Sequence, residues 1–141
     1  MQEDLKQAVT KAGKGLFKML PVLVGVILLV SLANVLIPKT AYKAVFRNNP
    51  LLDPLIGSTI GSILAGNPLT SYIIGGELLK QGVSLLAVTA FLVAWVTVGL
   101  VQLPAESILL GKRFAITRNI VSFIFAIIVA IVTVAITGWI T

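Results

Sequence analysis

Hydrophobic residues lie along the chain in long continuous runs separated by short polar segments. Three runs, at about 16–37, 83–103 and 119–140, are almost wholly apolar. Each is close to the roughly 20 residues that a membrane-spanning helix needs. The pattern predicts an all-α integral membrane protein with three full transmembrane helices.

A fourth apolar stretch, at about 51–81, is interrupted in its middle by Gly66, Asn67 and Pro68. Each half covers about 18 Å at about 1.5 Å per residue, against a hydrocarbon core about 30 Å thick. We therefore expect a broken or re-entrant helical segment, with Asn67 as the cap of its second helix and Pro68 at the first helical position. Backbone broken at membrane depth must be buried in protein or line a wet cavity. Transporters bind substrates at such breaks.

Glycine and other small residues have two predicted roles, one in the helix break and one in helix packing. Gly66, Pro68, Gly75 and Gly76 are assigned to the broken-helix structure. Small residues at helical spacing predict close packing of helices. The packing candidates are Gly57, Gly61, Ala65, Ser122, Ala126 and Ala130. For the last helix, a water-lined path along the same small and polar stripe is the alternative.

Polar side chains near the break form the predicted pathway for a substrate or ion. Four polar residues recur at intervals of seven, four and three, namely Thr70, Glu77, Gln81 and Ser84, and this spacing makes one polar stripe on a helix. The pathway candidates are Asn67, Thr70, Ser71, Tyr72, Glu77, Gln81 and Glu106. For Glu106, which follows Pro104, an interfacial position beside Lys112 and Arg113 is the alternative.

Glu77 is the sharpest single candidate. An intramembrane carboxylate is costly and usually belongs to a pathway, a proton relay or an ion site, so a buried Glu77 would couple transport to protons. The alternative is that Gly75 and Gly76 end the helix and leave Glu77 at the interface, paired with Lys80 or Gln81.

Proline and acidic residues mark the expected helix boundaries. Pro21 is placed near the start of the first span, where its missing N–H costs least. Asp53 is expected to cap the first half of the broken segment, with Pro54 at the first helical position.

Composition supports a single membrane domain. Apolar residues make up 57% of the chain, charged residues 11%, and the mean hydropathy is +1.05, whereas soluble domains carry about a quarter charged residues. We expect residues 1–15 to be an amphipathic interfacial segment and residues 16–141 to be one polytopic domain. A signal peptide is the alternative for the N-terminal segment.

The chain has no His and no Cys, which excludes several kinds of chemistry. Thiolate or imidazole metal sites, Cys nucleophiles, Ser-His dyads and haem ligation all lack an essential residue. We expect no enzyme activity, no metal and no cofactor. The net charge of +6 comes from Lys and Arg next to the apolar runs, which is typical of membrane flanks rather than of a nucleic-acid interface.

Two topologies follow from the broken segment, and the positive-inside rule separates them weakly. A re-entrant hairpin puts seven basic residues (Lys6, Lys11, Lys14, Lys18, Lys112, Arg113 and Arg118) opposite four (Lys39, Lys43, Arg47 and Lys80). A spanning segment moves Lys80 to the side of the N-terminal lysines, so that five face six. That balance would permit both orientations and an antiparallel dimer.

Three motifs carry a resemblance to a known family. They are Gly57-x-x-x-Gly61 leading to Gly66-Asn67-Pro68, the string from Gly75 to Ser84, and the string from Gln102 to Glu106. Over about half of its length the chain resembles the predicted-permease family that includes organoarsenical exporters. The resemblance implies a permease whose two related halves enclose the pathway, with this chain as one half that acts as a homodimer.

Together these features predict a small multi-pass permease subunit in the cell membrane. It would move a small polar or ionic solute through a site that a homodimer forms at the broken helix. The alternatives are an ion channel and a structural or accessory subunit that transports nothing.

Overall fold

The computed structural model describes residues 2–64 and 67–140, and this part consists of α-helices without a β-strand. Its helices are α1 (Gln2–Leu36), α2 (Lys39–Val45), α3 (Leu52–Ile63), α4 (Pro68–Lys80), α5 (Leu85–Thr97), α6 (Leu103–Leu109) and α7 (Lys112–Ile140). The predicted all-α class is confirmed. Contacts divide the chain into two units, one ending at Leu36 and the other beginning at Ile37.

Two helices are long and apolar enough to cross a bilayer, as judged by length and composition: Lys6–Leu36 within α1 and Lys112–Trp139 within α7. They cover the predicted spans near 16–37 and 119–140. Helix α1 is continuous from Gln2, so Pro21 lies inside it rather than near a helix start. The Phe17 carbonyl one turn earlier therefore lacks its usual N–H partner.

The third predicted span, 83–103, is not one helix. Helix α5 has 13 residues, about 20 Å of rise, and ends at Thr97. The backbone N–H of Gly99 donates to Asn119 Oδ1 at 2.9 Å, and that of Leu100 donates to the Ser62 carbonyl at 3.3 Å. Because α7 and α3 supply these acceptors, the chain leaves the helix here, and three full spans are not confirmed.

Helices α3 and α5 run parallel at very close distance. A Cβ placed on Gly57 would overlap the backbone carbonyl of Ala87, and one placed on Gly61 would overlap that of Phe91. Both contacts advance along the two helices in the same direction, which fixes their parallel arrangement. The absence of side chains at the two glycines lets the backbones approach.

Helix α4 runs antiparallel to α5. Gly75 lies against Leu92 and Val88, whereas Leu78, one turn later, packs with a cluster that includes Val83 and Ala87. As residue numbers rise along α4, the numbers of the residues that they contact on α5 fall. Since α3 is parallel to α5 and α4 is antiparallel to it, the chain reverses between α3 and α4, and these two helices form a hairpin.

Helix α7 packs antiparallel on another face of α5. Asn119 near its start reaches Gly99, and Ala126 further along packs with Ala94 and Val98. The core of this second unit is rich in alanine, which allows close helix packing. Its fully buried alanines are Ala87, Ala90, Ala94, Ala115, Ala126 and Ala130.

Candidate functional site

The break predicted within residues 51–81 is present as a helix boundary. Helix α3 ends at Ile63 and α4 begins at Pro68. Ala65, a packing candidate, and Gly66, a candidate for the break itself, lie outside the described residues. The hairpin thus has two short arms of 12 and 13 residues, each about 18–20 Å long.

Asn67 is the N-cap of α4. Its side-chain oxygen accepts a hydrogen bond from the Leu69 N–H at 3.0 Å, and its carbonyl accepts one from the Thr70 N–H at 2.9 Å. Pro68 follows at the first helical position, where a missing N–H costs no helical bond. The partially positive N-terminus of α4 therefore lies at the turn of the hairpin.

The three hydroxyl residues after the break differ in their surroundings. Ser71 is buried and donates to the Pro68 carbonyl at 2.7 Å. It shares a helix face with Gly75, which packs on α5. Thr70 is half-buried and Tyr72 is 63% exposed. Of the three, Thr70 and Tyr72 are the ones that a second chain or a solute can reach.

Glu77 lies near the other end of α4, about 15 Å from Asn67 along the helix axis. Its carboxylate accepts hydrogen bonds from Lys80 Nζ at 3.4 Å and Gln81 Nε2 at 3.2 Å. The helix continues through Gly75 and Gly76, against the alternative that they end it. The bonds from Lys80 and Gln81 to Glu77, which the same alternative predicted, are both present. Glu77 and Asn67 therefore occupy opposite ends of one helix.

Glu106 belongs to a polar cluster with residues of α7. Asn119, 4% exposed, donates to Glu106 Oε2 at 3.3 Å and to the Ala115 carbonyl at 2.9 Å, and its oxygen accepts from Gly99 N–H. The cluster ties the segment after α5 to α7. Glu106 was predicted to lie with the pathway residues near the break, whereas its bonds to Asn119 and Arg118 join it to α7.

Arg118 completes this cluster by an ion pair with Glu106, with 2.9 Å between Nη2 and Oε1. Its Nε is buried and, among the described residues, has no hydrogen-bond partner. The expected partners of Glu106, Lys112 and Arg113, are both exposed. Arg118 lies nearly two helical turns into α7, next to Asn119. Its position on the helix, rather than closeness in sequence, therefore makes it the ion-pair partner of Glu106.

A second buried polar group, Asp53, was not among the predicted site residues. Its carboxylate lies in the first turn of α3 and bonds to Ser84. It is not the helix cap that the sequence suggested. The helix begins at Leu52, one residue before Asp53. The side-chain oxygen of Asn49, just upstream, accepts from the N–H groups of Leu51 and Leu52 at 3.0 and 3.3 Å, which satisfies donors that have no acceptor within the helix.

Small residues on α7 lie where packing requires them. Ala126 and Ala130 are fully buried and Ser122 is half-buried, whereas Thr133 and Thr137 further along are exposed. The buried part of the stripe packs on α5. These contacts support helix packing rather than a water-lined path along that part.

Polar groups thus lie in two regions, one at each end of the hairpin. One end holds Asp53, Ser84 and Glu77. The other holds the hairpin turn at Asn67 and, through the bond of Leu100 to Ser62, the cluster around Asn119. Alanines and Phe91 fill the layer between them. Within the described residues, no group of three acidic, His or Cys side chains is placed to hold a metal ion.

Comparison with known proteins gives no relative from which to transfer a function. No family model, no curated protein and no solved structure matches the chain.

Proposed function

We propose that the chain is a multi-pass membrane protein and a subunit of a permease for small solutes, with α3 and α4 as a re-entrant hairpin. One observation carries the proposal: both arms are shorter than a bilayer core, and they run in opposite directions along α5. A hairpin of this length enters a membrane and returns to the same side.

The surface of α7 supports the membrane placement. The most apolar stretch of α7 is only 11% buried within the protein. Large apolar side chains lie exposed along it, including Ile116, Ile120, Ile124, Phe125, Ile128 and Ile136. Exposed apolar surface of this extent is unfavourable in water and favourable against lipid chains.

The depth of the hairpin turn supports a solute site. Arms of about 18–20 Å place the turn roughly two thirds of the way across a core about 30 Å thick. Backbone that leaves the helix at this depth must be buried in protein or face water. The capped N-terminus of α4 and Thr70 lie at this point, as in transporters whose broken helices line the solute site.

The exposed face of α4 supports a homodimer. Leu69 and Tyr72 are exposed on it, and a Cβ on Gly76 would meet nothing within 4 Å. One chain supplies one hairpin and therefore one wall of a pathway. A second copy facing α4 would supply the other wall, in keeping with the resemblance to permeases built from two related halves.

A fixed orientation fits the hairpin better than dual insertion. The reversal at the turn puts Lys43, Arg47 and Lys80 at one end and Lys112 and Arg118 at the other. With the N-terminal lysines counted, seven basic residues face four. The richer side, which carries the N-terminus, is then cytoplasmic.

One observation favours an accessory subunit that transports nothing. The polar groups of α4 bond largely within the helix: Glu77 to Lys80 and Gln81, and Ser71 to Pro68. Such groups need no solute to satisfy them. This second candidate makes the same dimer but predicts no flux.

Solute flux through the purified protein in liposomes distinguishes a permease subunit from an accessory subunit that transports nothing. Shrunken vesicles are mixed with urea, glycerol, glycine or potassium chloride, and light scattering records the rate of re-swelling. The permease predicts faster entry of at least one solute than in protein-free vesicles. Thr70→Trp should block that entry at the hairpin turn, while Thr133→Trp on the exposed face of α7 should not. If no solute enters faster, although the protein is folded and inserted, the accessory role is favoured, whereas large unitary currents would identify a channel.

A further inference from the structure

A groove lies between the two arms of the hairpin. Within the described residues, α3 and α4 pack against α5 rather than against each other, and α2 adjoins one end of the gap. The groove has a volume of about 280 Å³. Ile60 of α3 and Ile74 of α4 form its sides, Phe91 of α5 its floor, and Tyr42 and Phe46 contribute from the α2 segment.

The chemistry of the lining excludes a polar solute. Apart from the Tyr42 hydroxyl, no lining side chain carries a polar atom. An apolar cavity of this kind does not hold ordered water and instead takes apolar groups. The groove is therefore distinct from the solute site proposed at the hairpin turn.

The volume indicates the size of the apolar occupant. An apolar cavity of about 150 Å³ can hold one benzene molecule. A groove of about 280 Å³ therefore has room for a somewhat larger apolar group. A segment of a hydrocarbon chain is such a group.

Charge at the α2 end indicates the headgroup. Tyr42 and Phe46 line the groove, whereas Lys43 and the side chain of Arg47 are exposed. Asp53, the nearest acidic residue in sequence, is buried and accepts a bond from the backbone N–H of Arg47 rather than from its guanidinium. Two cations thus lie beside an apolar groove, which is complementary to an anionic amphiphile.

We propose that this groove binds one acyl chain of an anionic phospholipid, with the phosphate near Lys43 and Arg47. The proposal rests on the membrane placement argued above but not on solute transport. Lipid retention and solute flux are therefore measured separately, and either can fail alone.

Native mass spectrometry of protein released from bilayers tests this proposal. The bilayers contain equal amounts of phosphatidylglycerol and phosphatidylcholine. We expect one phosphatidylglycerol per chain to survive delipidation. Ile60→Trp, which fills the groove, should lose it, whereas Leu55→Trp on the exposed side of the same helix should keep it. Replacing both cations, by Lys43→Gln with Arg47→Gln, should reduce the preference for phosphatidylglycerol at least several-fold.

A cross-linking experiment on the unaltered chain covers the case in which Ile60→Trp does not fold. A phosphatidylglycerol with a photoreactive group at mid-chain should label peptides that contain Ile60, Ile74 or Phe91. Equal retention of both lipids, retention by folded Ile60→Trp, or labelling confined to α7 would each overturn the proposal. Cross-links from the groove to a second copy of the chain would overturn it in favour of a protein occupant.

Discussion

The hydroxyl of Ser84 donates a hydrogen bond to Asp53 Oδ2 at 3.3 Å, which joins the start of α5 to the first turn of α3. Asp53 is 1% exposed, and its other oxygen accepts from the Arg47 N–H at 3.1 Å. Ser84 is also the N-cap of α5, because its oxygen accepts from the Ala87 N–H at 3.3 Å. This pair therefore connects α5 and α3 to the segment after α2, at the open end of the hairpin.

Ser84→Ala should lower the free energy of unfolding by about 1–3 kcal/mol. It removes a helix cap and leaves the buried carboxylate of Asp53 with one donor fewer. Unfolding in mixed micelles with increasing dodecyl sulfate, followed by circular dichroism, measures the change. Ser84→Thr keeps the hydroxyl and is the control. If the Ala and Thr variants unfold at the same point, the bond to Asp53 contributes nothing measurable.

Gly57→Ala and Gly61→Ala should each destabilise the protein by about 1–3 kcal/mol. The added methyl group overlaps the backbone carbonyl of Ala87 or Phe91, and backbone cannot move aside as cheaply as a side chain. The same micelle titration measures it. Gly138→Ala is the matched control: a Cβ there meets nothing within 4 Å, and Ala is the better helix former by up to about 1 kcal/mol. Equal effects at all three positions would contradict close α3–α5 packing.

Local patterns predicted the two long apolar helices and the helix boundary at Asn67 and Pro68, because both depend on neighbours in sequence. The end of α5 could not be predicted, since the acceptor for Gly99 comes from Asn119 in α7. Asp53 was misjudged as a cap for a similar reason: its partner Ser84 is distant in sequence. Periodicity reports the face of a helix but not which distant side chain meets it.

Asn119→Ala should cost about 1–3 kcal/mol of stability and loosen the segment between α5 and α7. The variant leaves the Gly99 N–H without its acceptor and takes a donor from Glu106, and unmet buried polar groups are expensive. Hydrogen exchange should therefore become faster at residues 98–102 in particular. Ser122→Ala, half-buried one turn later on the same helix, is the control. A uniform increase in exchange over the whole chain would contradict a local role for Asn119.

The hairpin predicts that Arg47 and Lys80 lie on one side of the membrane and Lys112 on the other. Because the chain has no cysteine, single cysteines at these positions can each be labelled without background by a membrane-impermeant maleimide in sealed vesicles. Arg47→Cys and Lys80→Cys should react from the same side, since α3 enters and α4 returns. Lys112→Cys should react from the opposite side, where α7 begins. Labelling after permeabilisation with detergent controls for intrinsic reactivity. A spanning segment would instead put Arg47→Cys and Lys112→Cys on one side of the membrane and Lys80→Cys on the other. Partial labelling of every cysteine from both sides would indicate dual insertion.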